Sequence, residues 1–354
     1  MDSVLQLKPY NQALQVPYRW SKGTQYVRRG FLVRAEIDGH VGWGEAALPP
    51  HVIYDGWSFA AHGAALLHGL NAADDGFFDE LALREVSPRV RCGLVSAVLS
   101  ARASAQGVSL ARYLAGDLEP AARVPVNDLI GDAEPDACVE RARQALARGQ
   151  DTVKVKCTAE RSLDLERVAA IRDAFPTLRI RLDPNESWEL DWALEQIQAM
   201  ERFDIDYIEE PLPRGTDLTT YAQFSSRTSI PLALDDSIRS PFHAQRAIDM
   251  QAAKVLILKA PRVGGPDVAG QIIAQARHAD MRCVVTASLE TSIGLHVALH
   301  TAALLAQPIE PCGMGTARFF SNDVAEPPPI VDGYMTVPQQ AGLGVDLQPW
   351  WDAN

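Results

Sequence analysis

Three carboxylates stand 26 residues apart in the second half of this chain: Asp183, Glu209 and Asp235. Each closes a short apolar run (LRIRL, DYI and PLAL) and is followed by a helix-like stretch. In a parallel βα repeat such a period returns the chain to the same end of the next strand, so all three are expected to converge at one rim. Hard oxygen ligands in that number suit Mg²⁺, with Mn²⁺ as a substitute.

Lysines flank this acidic series. Lys154 and Lys156 lie in the run TVKVKC one unit upstream, and Lys259 ends KVLIL one unit downstream. Side chains alternate along a strand, so Lys154 and Lys156 share a face, and Arg181 shares one with Asp183. If residues 124–127 begin a barrel, the strands ending at Lys156, Asp183, Glu209, Asp235 and Lys259 are its second to sixth. Strands two and six face each other across an eight-stranded barrel, which sets the metal between two lysines.

A cation holding a substrate carboxylate stabilises the ene-diolate left when the α-proton departs, and a neutral lysine beside it can take that proton. An unperturbed lysine is neutral in only about one of ~2,500 molecules at pH 7. Lowering its pKa by roughly 3 units costs about 4 kcal/mol, which burial, a second lysine and a nearby cation are expected to supply. Taken singly, a strand-end acid is ordinarily a helix N-cap, and strand lysines ordinarily guard an edge. Five such features at the same end of consecutive units are not explained in that way.

The rest of the sequence excludes other classes. The chain has 354 residues, 47% hydrophobic and 22% charged, enough for one large domain plus a smaller one. A net charge of −12 without a basic run disfavours nucleic acid. No stretch approaches a membrane-spanning length and the N-terminus lacks a leader pattern, so no membrane partner and a cytoplasmic location are expected. The five cysteines are scattered without a CxxC pair, against both a disulfide framework and a zinc site.

Three parts are expected. Residues 1–120 open with GFLVRAEI, the Asp38-Gly39 turn and HVGWGEA, a β-hairpin, followed by helical patterns at 57–70 and 88–106, giving an α+β capping domain. Residues 121–319 alternate short β-branched runs with amphipathic segments at 135–148, 161–175, 188–200 and 266–278, as in a TIM-type (β/α) barrel of α/β class. Its last strands are expected at 282–286 and near 309–312. Residues 320–354, with strand-like stretches at 333–337 and 343–347, are expected to return to the capping domain.

The order K-x-K, D-x-N, E-E-P, D-D-S and K-x-P-x-x-G-G, with the hairpin G-W-G-E and the late D-G-Y-M-x-V-P, resembles the muconate-lactonizing subgroup of the enolase superfamily. Within it the chain is most similar to the o-succinylbenzoate synthases. The resemblance implies that Asp183, Glu209 and Asp235 hold Mg²⁺, that Lys156 is the base with Lys154 supporting it, and that Lys259 faces the ene-diolate. It implies syn dehydration of 2-succinyl-6-hydroxy-2,4-cyclohexadiene-1-carboxylate on the way to menaquinone. Racemisation of N-succinyl amino acids, dipeptide epimerisation or cycloisomerisation on the same site are the alternatives. A catalytically silent metal-binding protein of this fold is the alternative of another class.

Local differences weigh on the choice. The seventh strand has no histidine, unlike the mandelate-racemase subgroup, and EPCGMGT at the eighth lacks the D-x-D of dipeptide epimerases. A small-molecule carboxylate without an α-ammonium group is therefore the expected substrate. Arg181 is expected either to neutralise its second carboxylate or to form a structural ion pair inside the barrel. Pro184 and Asp236 replace the family's common alanine and glutamate, without touching the expected ligands. His296 and His300 lack the glutamate of HExxH and are expected to pack a helix, and Gly264-Gly265 to make a tight turn. The resemblance places the 19–26 loop over the barrel mouth.

Overall fold

The computed structural model describes residues 3–20, 23–49, 63, 65–131, 134–158 and 160–354. The helix expected over 57–70 falls largely outside them. Strands β1 (Ser3–Trp20), β2 (Gly23–Ile37) and β3 (His40–Ala47) form an antiparallel sheet in that order. The expected β2–β3 hairpin turns on Asp38 and Gly39, with φ of 47° and 81°. Strand β1 is not anticipated by the sequence reading. It makes the 19–26 segment a hairpin end, Tyr18 pairing with Gln25 and Arg19 with Thr24, where a loop was expected. Its inward apolar residues, Leu5, Leu7 and Tyr10, are few and change phase between Leu7 and Tyr10, which hides the strand in the sequence.

Helix Pro88–Ala105, capped by Ser87, lies directly on β3. The glycines of G-W-G-E permit this contact. A Cβ on Gly44 would stand 2.0 Å from the Gly93 carbonyl oxygen, and one on Gly42 2.2 Å from backbone atoms of Ala97 and Ala101.

Strand β4 (Arg123–Pro125) precedes a seven-stranded parallel sheet of β5 (Asp128–Ile130), β6 (Thr152–Lys156), β7 (Arg179–Asp183), β8 (Ile205–Glu209), β9 (Leu232–Leu234), β10 (Val255–Leu258) and β11 (Arg282–Val285). Helices follow β5 to β8 at 135–147, 161–174, 190–200 and 218–225, and β9 to β11 at 241–249, 266–278 and 292–302. The sheet curls until Cys312 bridges Val126 on one side and Gly313 bridges Thr286 on the other. These bridges supply the eighth strand of a (β/α) barrel. The first barrel strand is Asp128–Ile130 rather than 124–127. Pro125 has no N–H for a central strand, and β4 pairs antiparallel with β13 (Tyr334–Thr336) instead. The strand count from two to six is unchanged.

The tail after β12 (Ile330–Val331) and β13 holds no strand at 343–347. Gly342 and Gly344 take φ of 73° and 69°, which ends extended backbone there. Gly342 exchanges hydrogen bonds with Val108 and Leu110, and Leu343, Leu347 and Trp351 join the core beneath the β1–β3 sheet.

Three polar contacts lock the N-terminal part to the barrel. Buried Glu45 accepts from Thr291 N–H and Gly294 N–H at the start of helix 292–302, at 3.1 and 2.9 Å. Arg91 donates to the Gly264 carbonyl and pairs with Asp267, both at 2.7 Å, so the Gly264-Gly265 turn is a docking point. His300 accepts from Ala111 N–H and donates to the Leu343 carbonyl, at 3.1 and 3.0 Å. Together with His296, which bonds Ser292 O, it belongs to helix packing as expected. Among the described residues no helix is long and apolar enough to cross a membrane.

Burial pushes the His300 imidazole down to about 4. An imidazole that takes up a proton more readily when unfolded draws the chain toward unfolding as pH falls from about 6.5 toward 4. Urea unfolding should therefore show about 2 kcal/mol less stability at pH 5 than at pH 7 from this group. His300→Gln should remove that part of the slope, and an unchanged slope would contradict the assignment.

Candidate active site

Alternation in β6 and β7 decides which side chains enter the barrel. Val153, Val155, Ile180 and Leu182 are wholly or almost wholly buried in the core, whereas Lys154, Lys156, Arg181 and Asp183 face inward. Parallel pairing sets Lys154 beside Arg181 and Lys156 beside Asp183. Glu209 ends β8, Asp235 follows β9 directly and Lys259 follows β10. The expected residues thus reach one rim, at the C-terminal ends of the strands.

There they form alternating charges. Lys154 Nζ lies 2.8 Å from Asp183 and 2.9 Å from Glu209, and Lys156 Nζ 2.6 Å from Asp183 and 2.8 Å from Asn185 Oδ1. Asp235 is paired with Lys259 and with Arg262, which also reaches Asp236 at 2.8 Å. Burial works against both ammonium groups of β6, but Asp183, and Glu209 at Lys154, outweigh it and raise their pKa values. The depressed lysine expected from the sequence is therefore not present in this arrangement. The two ammonium groups in turn hold Asp183 well below the carboxylate range, against its own burial. Burial, then repulsion from Asp183, pushes Glu209 up to about 7.

Among the described residues no three acidic or imidazole groups stand together as a ready metal cage, since side-chain cations close on each carboxylate. The donor set still suits a hard divalent ion. Asp183, Glu209 and Asp235 are only 1%, 1% and 2% exposed on adjacent strand ends, and such acids require a compensating cation. These three are the residues that would hold it.

Arg181 requires a correction. Its guanidinium is wholly buried one layer beneath Asp183 and is spent on Asp206 at 2.8 Å, Glu310 at 3.2 Å and Asn127 at 3.3 Å, with its face 4.7 Å from the Tyr207 ring. Arg179 and Arg282 join Asp206 and Glu310 in the same network. Of the two readings of Arg181, the structural ion pair is the one realised, because a register shift between β7 and β8 brings Asp206 within reach.

Other contributors escape the sequence reading. Glu210, second in E-E-P, accepts from Asp235 N–H, Ser237 and Tyr221, and so shapes the turn that carries Asp235. The D-x-N and E-E-P spacings were the available signals for Asn185 and Glu210, whereas Arg262 had none beyond its place after Lys259. A cavity of about 600 Å³ opens over Lys156, Asp235 and Lys259, roofed by Tyr18, Thr24 and Gln25 of the β1–β2 hairpin. A smaller one, of about 60 Å³, lies between Lys156 and Lys259 against Gly313, Gly315 and Thr316.

Residues 137–351 match a family model described as Enolase C-terminal domain-like. An o-succinylbenzoate synthase of Thermobifida fusca is 36% identical over 210 residues, which are 58% of this chain and 63% of that protein, slightly under two thirds of its length. The enzyme so named in Bacillus subtilis is 28% identical over 348 residues, covering 94% of this chain and 91% of that protein. Muconate lactonizing enzyme from Pseudomonas fluorescens, complexed with muconolactone, superposes with a TM-score of 0.88 at 22% identity over 99% of this chain and 98% of that one. A dipeptide epimerase from Cytophaga hutchinsonii, complexed with Mg and D-Ala-L-Val, has a TM-score of 0.86 at 26% identity, covering 97% and 95%.

Lys154 serves two buried carboxylates, so its loss should be expensive in metal-free protein. Lys154→Met should cost about 3–5 kcal/mol by denaturant unfolding in chelator. Combining it with Glu209→Gln should recover part of that cost, a coupling of about 1–3 kcal/mol, and simple additivity would show that the pair is not coupled.

Proposed function

Starting from a chain that belongs to the enolase C-terminal domain-like family of the enolase superfamily, we propose that it dehydrates 2-succinyl-6-hydroxy-2,4-cyclohexadiene-1-carboxylate to o-succinylbenzoate. The observation that carries the reading is that Lys156 and Lys259 line the same cavities, with Asp183, Glu209 and Asp235 on the rim beside them. The curated relatives named o-succinylbenzoate synthase support it. At the eighth strand only Gly313, Gly315 and Thr316 border the cavity, which suits a substrate without an α-ammonium group. A divalent ion, Mg²⁺ or Mn²⁺ in its place, supplies when bound the positive charge that makes a proton next to a carboxylate acidic.

Lys156 takes that proton in its neutral form, toward which burial and the neighbouring Lys154 ammonium push it once Asp183 relaxes its hold. The same Nζ then returns the proton to the departing hydroxyl on the same ring face, releasing water as the ring becomes aromatic. Lys259 stays charged opposite and balances the negative charge that develops. Tyr18, Thr24 and Gln25 of the hairpin border the cavity. The reading makes this a cytoplasmic enzyme of small carboxylates in menaquinone synthesis. Racemisation of N-succinyl amino acids is the second reading, favoured by the fact that two lysines face one cavity.

Turnover of the cyclohexadiene compound, followed by absorbance, should vanish in EDTA and return with Mg²⁺ or Mn²⁺; activity that survives exhaustive chelation would refute the metal assignment.

Lys156→Ala should abolish dehydration and α-proton exchange together, by about 10³-fold or more. Lys259→Arg keeps the charge and should spare dehydration while eliminating racemisation, which needs a second base. Equal loss of both activities in Lys259→Arg would contradict the charge-balancing role given to Lys259.

A further inference from the structure

The cavity over the lysines has a second cationic wall that the proposed chemistry does not use. Arg28 on β2 is 2% exposed, and its Nη1 donates to the Leu48 carbonyl at 2.8 Å. Its Nε and Nη2 are buried and have no hydrogen-bond partner. Those two nitrogens form one edge of the guanidinium, the edge that receives a carboxylate through two parallel hydrogen bonds. Arg89, in the first turn of helix 88–105, is anchored one residue away, donating to the Ala47 carbonyl at 3.0 Å. Both line the cavity of about 600 Å³ that Lys156 and Lys259 also line. Burial and the charge of Arg28 pull the Arg89 guanidinium down to about 10, so the two cations are close enough to repel each other.

Of the acids nearby, Glu45 is engaged by Tyr10, Thr291 and Gly294, while Glu290 turns Oε2 to the Ser288 N–H and leaves its buried Oε1 without a partner. Among the described residues neither forms an ion pair with Arg28. Glu45 is near enough for Arg28 to act on its charge but makes no ion pair with it; a buried guanidinium that cannot lose its proton and has no direct ion pair is costly, and an anionic ligand offsets that cost.

We propose that Arg28 and Arg89 form a second anion subsite, which holds the distal carboxylate of a substrate whose other carboxylate stands at the acidic rim. This rests on the reading above, where the distal group is the succinyl carboxylate, and it assigns to the N-terminal part the role that the sequence gave to Arg181.

The test is calorimetric titration of the whole protein in Mg²⁺ buffer with o-succinylbenzoate and with the same compound methylated on its chain carboxylate. Wild type should bind the diacid at least about tenfold more tightly than the half-ester. Arg28→Gln should bring the ratio close to one, and Arg28→Lys, which keeps the charge without the fork, should lie between. Arg89→Gln, at a half-buried position, should narrow the ratio too and carries the test if Arg28→Gln does not fold. A purely structural Arg28 would weaken both ligands alike. An unchanged ratio in the folded variants, or a wild type that does not distinguish the two compounds, overturns the proposal. Absent turnover on the cyclohexadiene compound with the ratio intact would remove the reaction assigned above and leave the dicarboxylate subsite standing.

Discussion

Successive side chains of a strand point to opposite faces, and in β6 and β7 that alternation decides where every charge goes. Valine, isoleucine and leucine turn out under the helices, and lysine, arginine and aspartate turn in. A slip of one residue in either strand would bury the charges in the apolar layer and empty the rim of Lys154, Lys156 and Asp183. The apolar packing outside the barrel therefore enforces the chemistry inside it. The cost of holding so many ions out of water is offset by pairing them with one another.

The interior holds two charge layers with different roles. At the strand starts Arg179, Arg181 and Arg282 share the two carboxylates of Asp206 and Glu310 in one ion-pair network. At the strand ends lysines and carboxylates are paired as neighbours, and each carboxylate can exchange a side-chain cation for another. Tyr207 lies between, under the Arg181 guanidinium. Depth along the strand, two residues from Arg181 to Asp183, separates a structural ion from a chemical one.

The other wall of the cavity belongs to the N-terminal part, so the site depends on how that part is docked. Glu45 at the start of helix 292–302, Arg91 on the Gly264-Gly265 turn and His300 between Ala111 and Leu343 fix the docking from three sides. Gly42 and Gly44 matter because they let helix 88–105 approach β3, which sets the position of Arg89.

Much of this was legible in the linear sequence. The 26-residue interval, the K-x-K pair and the apolar runs before each acid placed seven residues on barrel strands, and the structure brings six of them to one rim. Period and alternation are local properties, carried by the chain itself. Strand β1 was missed because its inward residues Leu5, Leu7 and Tyr10 change phase and are outnumbered by polar ones, and a strand at 343–347 was expected where two glycines turn the chain. Arg181 had the right face but the wrong depth, which only the register of β7 against β8 reveals. The pairing of each lysine with a carboxylate, and the unpartnered edge of Arg28, which lines the same cavity, depend on contacts between residues on different strands, tens of positions or more apart. The sequence thus determined which residue types reach the rim, because strand periodicity needs no partner. Tertiary structure decided which ions neutralise one another and which remains free, because that depends on distances across the barrel and between its parts.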